Sequence, residues 1–229
     1  MRTVRKISLK RVIWTVLCMV LLCGAVSVNA QAAMKKSKAI TLYDKTISQW
    51  ALSGKKVKVI GSLHGDKSGV SCDKKGKTVS LKWLYYGEPR YIFKNLGGDS
   101  TVEAVFYSEN DNNIYVFTIA NKKVKCLGAI CCDCYGTGFG KPEFYYNSSK
   151  KTFSFLAYPS ARAQVLKTYK ISRGKLKCVS TVSRYVGSMN ADGSSNIKYY
   201  VNNKKKSYSA YKSAWNKYKK KAKMVYWGP

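Results

Sequence analysis

Lys123-Val124-Lys125-Cys126-Leu127-Gly128-Ala129-Ile130 decides the reading of this chain, because lysine and apolar side chains alternate along it with the period of a half-buried strand. It follows a strand-like triplet, Phe117/Ile119, across the short polar turn Ala120-Asn121-Lys122. The pattern occurs twice more. Trp50/Leu52 and Ser53-Gly54-Lys55 precede Lys56-Val57-Lys58-Val59-Ile60-Gly61-Ser62-Leu63. Tyr169/Ile171 and Ser172-Arg173-Gly174 precede Lys175-Leu176-Lys177-Cys178-Val179-Ser180-Thr181-Val182. A β-hairpin used three times accounts for all three.

Working outward, a second hairpin follows each motif: Val70–Asp73 with Thr78–Trp83, Glu143–Tyr146 with Thr152–Leu156, and Lys198–Val201 turning at Asn202-Asn203-Lys204. Tyr91–Phe93 and Val102–Tyr107 add an extra pair to the first unit. The repeat hairpins fall near 50–83, 117–156 and 169–203. Residues 208–223 change to helical spacing, with Tyr211, Ala214, Trp215, Tyr218 and Ala222 on one face and lysines around it. The expected fold is mainly β: an antiparallel meander of repeated hairpins, open and propeller-like or a partly closed barrel, with one C-terminal amphipathic helix.

The N-terminus carries a cationic stretch, Arg2 to Arg11, then the uncharged apolar run Val12–Leu22 and small residues fitting a signal-peptidase site at Val28-Asn29-Ala30 or Ala30-Gln31-Ala32. Residues 1–32 therefore read as an export signal, and 33–229 as a single β-rich domain, monomeric and without a transmembrane segment. Location is expected to be extracellular or at the cell envelope. A retained anchor is the alternative reading of the apolar run; Leu22 before Cys23 argues against lipidation.

The whole chain of 229 residues has 42 Lys+Arg against 11 Asp+Glu, a formal charge of +31. Lysine dominates after residue 32, where only Arg90, Arg162, Arg173 and Arg184 remain. A hydrated, mobile ammonium suits diffuse attraction to a polyanion, whereas coded base or phosphate recognition uses the arginine fork. The same lysines also keep exposed strand faces soluble.

Chemistry has little to work with. His64 is the one histidine, the acids are scattered, and no P-loop, dinucleotide fingerprint or nucleophile elbow occurs. No enzyme and no cofactor are expected. Outside the signal lie Cys72, Cys126, Cys131, Cys132, Cys134 and Cys178, a set open to disulfide pairing, to burial as small hydrophobes, or, around Cys126–Cys134, to a metal. Asn95, Asp99 and Glu103 sit in a degenerate calcium-loop pattern that keeps two carboxylates, so a calcium-free turn is the preferred reading. Trp83, Tyr85, Tyr86, Tyr91, Tyr145, Tyr146, Tyr199 and Tyr200 either fill the core or form a sugar-stacking surface.

Tyr199-Tyr200-Val201-Asn202-Asn203-Lys204-Lys205-Lys206-Ser207-Tyr208 through Tyr218, the hairpins Phe117–Leu127 and Tyr169–Val179, and the aspartate/glycine turn ahead of a strand resemble motifs of a loosely defined group of small, lysine-rich exported proteins of Gram-positive bacteria. The resemblance covers roughly residues 90–220. It implies a β-meander or propeller-like fold and an extracytoplasmic location, and it attaches no activity. The expected function is non-catalytic binding of an anionic cell-wall polymer or of acidic lipid headgroups through Lys56, Lys58, Lys123, Lys125, Lys175 and Lys177, without specific nucleic-acid recognition. The alternative is a structural or protein-interaction module of the cell surface.

Overall fold

The computed structural model describes residues 34–63, 76–84, 89–132 and 141–228. The signal at 1–32, His64, the Val70–Asp73 strand with Cys72, Tyr85, Tyr86 and Cys134 lie outside the described residues. A first helix, α1 (Lys36–Leu52), buries Ala39, Tyr43, Ile47 and Ala51, one residue every four. It ends where Gly54, at φ +64, lets its own N–H donate to the Ala51 carbonyl at 3.0 Å and the Lys55 N–H to the Trp50 carbonyl at 2.9 Å. Trp50 and Leu52, expected as strand positions, thus form the last helical turn. The four-residue spacing of the preceding apolar stripe outweighs the two-residue pairing of this one triplet.

The first sheet has six strands in the order β2-β1-β6-β5-β4-β3. They are β1 (Lys56–Ser62), β2 (Thr78–Ser80), β3 (Arg90–Lys94), β4 (Glu103–Ser108), β5 (Asn113–Ala120) and β6 (Lys123–Cys131), with a 3₁₀ turn at Leu81–Leu84 after β2. The second has seven, in the order β12-β11-β10-β9-β8-β7-β13. These are β7 (Glu143–Asn147), β8 (Thr152–Ser160), β9 (Ala163–Ser172), β10 (Lys175–Met189), β11 (Ser195–Val201), β12 (Lys204–Lys206) and β13 (Lys223–Val225). Helix α2 (Tyr208–Lys219) lies between β12 and β13, with Ser207 capping it through the Ala210 N–H.

Neither sheet closes into a barrel among the described residues, and the meander is not antiparallel throughout, since β1 runs parallel to β6. Among the described residues two helices are present where one was expected. None of the described helices is long and apolar enough to cross a membrane.

The hairpin turns follow from local chemistry. Asn121/Lys122, Arg173/Gly174 and Asn202/Asn203 all have positive φ at both central positions, the type I′ geometry that matches strand twist. Each lysine motif also carries one extra residue. Ladder registers skip Ile60 in β1, Leu127 in β6 and Val179 in β10, the same position of all three motifs.

Alternation along the strands then builds layers. Val105, Tyr107, Ile114, Val116 and Ile130 of the first sheet meet Phe144, Phe153, Phe155 and Tyr169 of the second in a common core. On the outer face of the first sheet, Phe106, Tyr115, Phe117 and Ala129 pack beneath Ala39, Tyr43 and Ile47 of α1. On the outer face of the second, Leu156, Leu166 and Val182 pack with Tyr211 of α2. The order is helix, sheet, sheet, helix. Burial on both faces explains why β4 and β5 read as nearly continuous apolar runs.

Candidate functional site

The bulges open a slot in the first sheet. β1 pairs with β6 only from Val59/Ala129 to Ser62/Cys131, while its start, Lys56–Lys58, pairs with β2. Gly128, at φ +138, occupies the bend, and a Cβ there would stand 2.7 Å from Ile60 Cγ2. Before this point the two strands leave a cavity of about 450 Å³ lined by Trp50, Lys55–Lys58, Ile60 and Val124–Gly128. Trp50, Val57, Val124 and Cys126 belong to the layer beneath α1, whereas Ile60 and Leu127 pack toward the inter-sheet core. The opening therefore touches both faces of the sheet.

Lys55, Lys56, Lys58 and Lys125 all line it, and no carboxylate does so among the described residues. Lys55 Nζ stands 3.2 Å from the centroid of the Trp50 ring, an indole–ammonium contact. Burial pushes the Cys126 thiol up to about 11, against the opposing influences of the Gly128 N–H and Lys55. A neutral thiol leaves the positive charge of the slot uncompensated. Such a site offers several rotatable ammonium donors beside a ring, which suits a flexible anion more than a shape-coded one.

The structure brings Lys56, Lys58 and Lys125 together at the slot and places Lys123, exposed, two residues further out on the same side of β6. Lys175 and Lys177 are exposed on β10 of the other sheet and do not line it. Sequence reasoning missed Lys55, hidden in a turn, and Trp50, read as a strand residue. Their signal was the helical spacing that precedes them. Lys167 behaves differently from the rest: only 9% exposed, it donates from Nζ to the Ser62 carbonyl at 2.5 Å, linking the sheets.

The Asn95–Glu103 turn holds its polar groups inward. Glu103 Oε2 accepts from the Leu96 N–H at 2.7 Å and the Gly97 N–H at 3.3 Å, and Oε1 accepts from Thr118 Oγ1 at 3.2 Å. Asp99 Oδ1 accepts from the Thr101 N–H, and Asn95 Oδ1 from the Gly98 N–H. Burial pushes the Glu103 carboxyl up to about 7, opposed by those two backbone donors. Oxygens committed to N–H groups of their own loop brace the turn.

Cys131 and Cys132 point to opposite faces, one into the layer under α1 and one into the inter-sheet core. Strand alternation alone explains their adjacency, and it separates them too well for one shared thiolate centre. Cys126 and Cys178 carry free thiols, each on a bulged strand. Among the aromatics, Tyr146 faces the inter-sheet core, whereas Tyr145 and Tyr199 lie on the outer face beside α2 and Trp83 is half exposed. Compared with protein-family models, curated proteins and solved structures, the chain shows no match.

Proposed function

We propose that this protein binds anionic envelope polymers without catalysis, and that the slot between β1 and β6 is the centre of the binding surface. The observation that carries the reading is the convergence of Lys55, Lys56, Lys58 and Lys125 on one concave opening, with no carboxylate among its described lining residues. Exposed Lys123 extends the same surface, and Lys175 and Lys177 add a second basic hairpin. Arginine is scarce, so attraction is diffuse and salt-sensitive. An extracytoplasmic location and kinship with lysine-rich exported proteins belong to the same proposal. So does a propeller-like relationship, supported by two meanders stacked face to face with bulged lysine hairpins at equivalent positions.

Retention of the protein on purified Gram-positive cell wall, measured across a salt series, tests the reading. Binding should fall steeply with salt, and Lys56→Ala/Lys58→Ala/Lys125→Ala should lose most of it. Replacing Lys198, Lys204 and Lys206 instead, three exposed lysines of the second sheet, should cost far less. Equal losses from both triple variants would reduce the slot to bulk charge. A second reading, a protein-interaction module, draws on the β10–β11 hairpin, where Met189 is 72% and Ile197 37% exposed.

A further inference from the structure

Both sides of the slot are open strand edges. The Lys55 and Val59 carbonyls accept from the Leu81 and Gly76 N–H groups at 2.8 and 2.9 Å, and the Val59 N–H donates to the Lys77 carbonyl at 2.9 Å. The odd-numbered residues of β1 thus turn their backbone polar groups toward β2 and its preceding turn. Lys56 and Lys58 turn theirs the other way, toward β6, where no ladder begins before Val59/Ala129. On β6, Ala120/Lys123 closes the two-residue turn and Thr118/Lys125 follows two residues on, so these pairs exchange bonds with β5. Val124 and Cys126 therefore direct their N–H and C=O groups into the slot, and among the described residues no strand pairs with them there.

The two faces of this gap differ. Toward α1 lie Trp50, Val57, Val124 and Cys126, with Trp50 and Cys126 only half-buried. Away from α1, alternation places Lys56, Lys58, Lys123 and Lys125. The free edge of the second sheet is built otherwise. There β12 is Lys204-Lys205-Lys206, all exposed, with ammonium groups on both faces, the pattern that repels a further strand. The slot edges carry their alternating lysines on one face alone, and they flank a cavity of about 450 Å³, the size of a ligand site.

We infer that the slot takes an extended peptide segment of another protein, one in which acidic and apolar residues alternate, as an added strand on the open edge of β6. The inference rests on reading the slot as the centre of anion binding, and it names the anion as a polyamide chain. Peptide groups offer donors and acceptors in alternation, which the carbonyls and N–H groups of Val124 and Cys126 both require. Phosphodiester linkages offer acceptors alone and leave the two carbonyls unanswered. One face of the incoming strand presents carboxylates to Lys56, Lys58 and Lys125, and the other presents apolar side chains to Trp50 and Cys126. From Lys123 to Leu127 the open edge runs about 17 Å at the strand rise, enough to engage about five residues.

The test is titration of the full chain with acetyl-Glu-Val-Glu-Val-Glu-amide, read by calorimetry and by amide hydrogen exchange. Saturable binding that slows exchange at the Val124 and Cys126 N–H groups is expected. The block isomer acetyl-Glu-Glu-Glu-Val-Val-amide and a linear polyphosphate of equal charge should each bind about tenfold more weakly or worse, the effect of about two net hydrogen bonds. Two N-methylated peptides, one blocked at every glutamate N–H and one at every valine N–H, keep the charge; at least one should lose a similar factor. Lys56→Ala/Lys58→Ala/Lys125→Ala, whose side chains are exposed, should weaken the alternating peptide as well. Equal binding of the block isomer or of polyphosphate, or undiminished binding of both N-methylated peptides, overturns the inference. If the triple lysine variant still loses salt-sensitive polyphosphate binding in that case, the anion-binding reading of the slot stands while the added strand falls. Absence of binding to every one of these anions removes both.

Discussion

Glu103 makes the structure testable through pH. Its side chain is 1% exposed, at the start of β4 on the inter-sheet side, and burial is the dominant influence on it. Two backbone N–H groups and the Thr118 hydroxyl favour the ionised form, each such bond worth roughly 1.5–3 kcal/mol at most to a charged acceptor. Burial still wins, and the carboxyl rises from 4.5 to about 7. Each unit of displacement corresponds to about 1.4 kcal/mol, so the ionised acid costs about 3 kcal/mol of stability. The neutral acid keeps the whole network: Oε2 goes on accepting from Leu96 and Gly97, and a proton on Oε1 lets it donate to Thr118 instead.

The direction follows from proton counting. Below pH 4.5 both folded and unfolded chains hold the proton and nothing is lost. Between 4.5 and about 7 the unfolded chain has released it while the folded one retains it, so stability declines as pH rises. Above 7 both are ionised and the deficit is constant. Urea unfolding of wild type and Glu103→Gln at pH 5 and pH 8 isolates this group from all others. Glutamine matches the neutral acid, accepting at Oε1 and donating from Nε2 to Thr118. The two proteins should be nearly equal at pH 5, and the variant should be more stable by about 3 kcal/mol at pH 8. A wild type that gains on the variant between pH 5 and pH 8 would refute the reasoning, since Glu103 would then be an ionised acceptor throughout.

Other expectations rest on separate features. Lys122 holds φ +59 in the β5–β6 turn, so Lys122→Gly should stabilise the protein by about 1 kcal/mol in thermal or urea unfolding; a loss would mean that the turn is not strained. Cys178 is exposed and Cys126 is held protonated by burial, so maleimide labelling followed by peptide mass spectrometry should modify Cys178 first; the reverse order would contradict the slot geometry. Lys167→Ala removes the buried donor to the Ser62 carbonyl and should cost about 2–4 kcal/mol, measured by urea unfolding; a neutral result would mean that water replaces the ammonium.

Much of the β structure was legible because it is local. The hairpins β5–β6, β7–β8 and β9–β10 follow from period-two alternation around turns whose residues tolerate positive φ. Helix α2 follows from Tyr211, Ala214, Trp215 and Tyr218. Helix α1 was equally available in Ala39, Tyr43, Ile47 and Ala51, but the likeness of Trp50/Leu52 to two real strand triplets concealed it. What alternation does not contain is the partner of each strand. The parallel β1/β6 ladder joins residues about seventy positions apart, and only that long-range pairing creates the slot from lysines spread over two motifs. The edge of the second sheet was hidden for the same reason: Met224 meets Tyr145 only when β13 returns to β7.

The recurring motif carries more than a strand, because its one unpaired residue reverses which face each later side chain occupies. Val124 and Ala129 are five apart, an odd interval that places residues of a regular strand on opposite faces, yet both lie beneath α1. Leu176 and Val182 are six apart and should share a face, yet one packs into the inter-sheet core and the other beneath α2. Leu127 and Val179, the residues skipped in the two ladders, supply the missing step. Ahead of the step, the lysines of the first two motifs alternate with the buried Val57, Val59 and Val124. Beyond it, the strand is buried on both sides and the lysines stop. A single inserted residue therefore divides each motif into a cationic end that meets solvent and an apolar end that enters the layers, and where two such strands run side by side the divided ends form the slot.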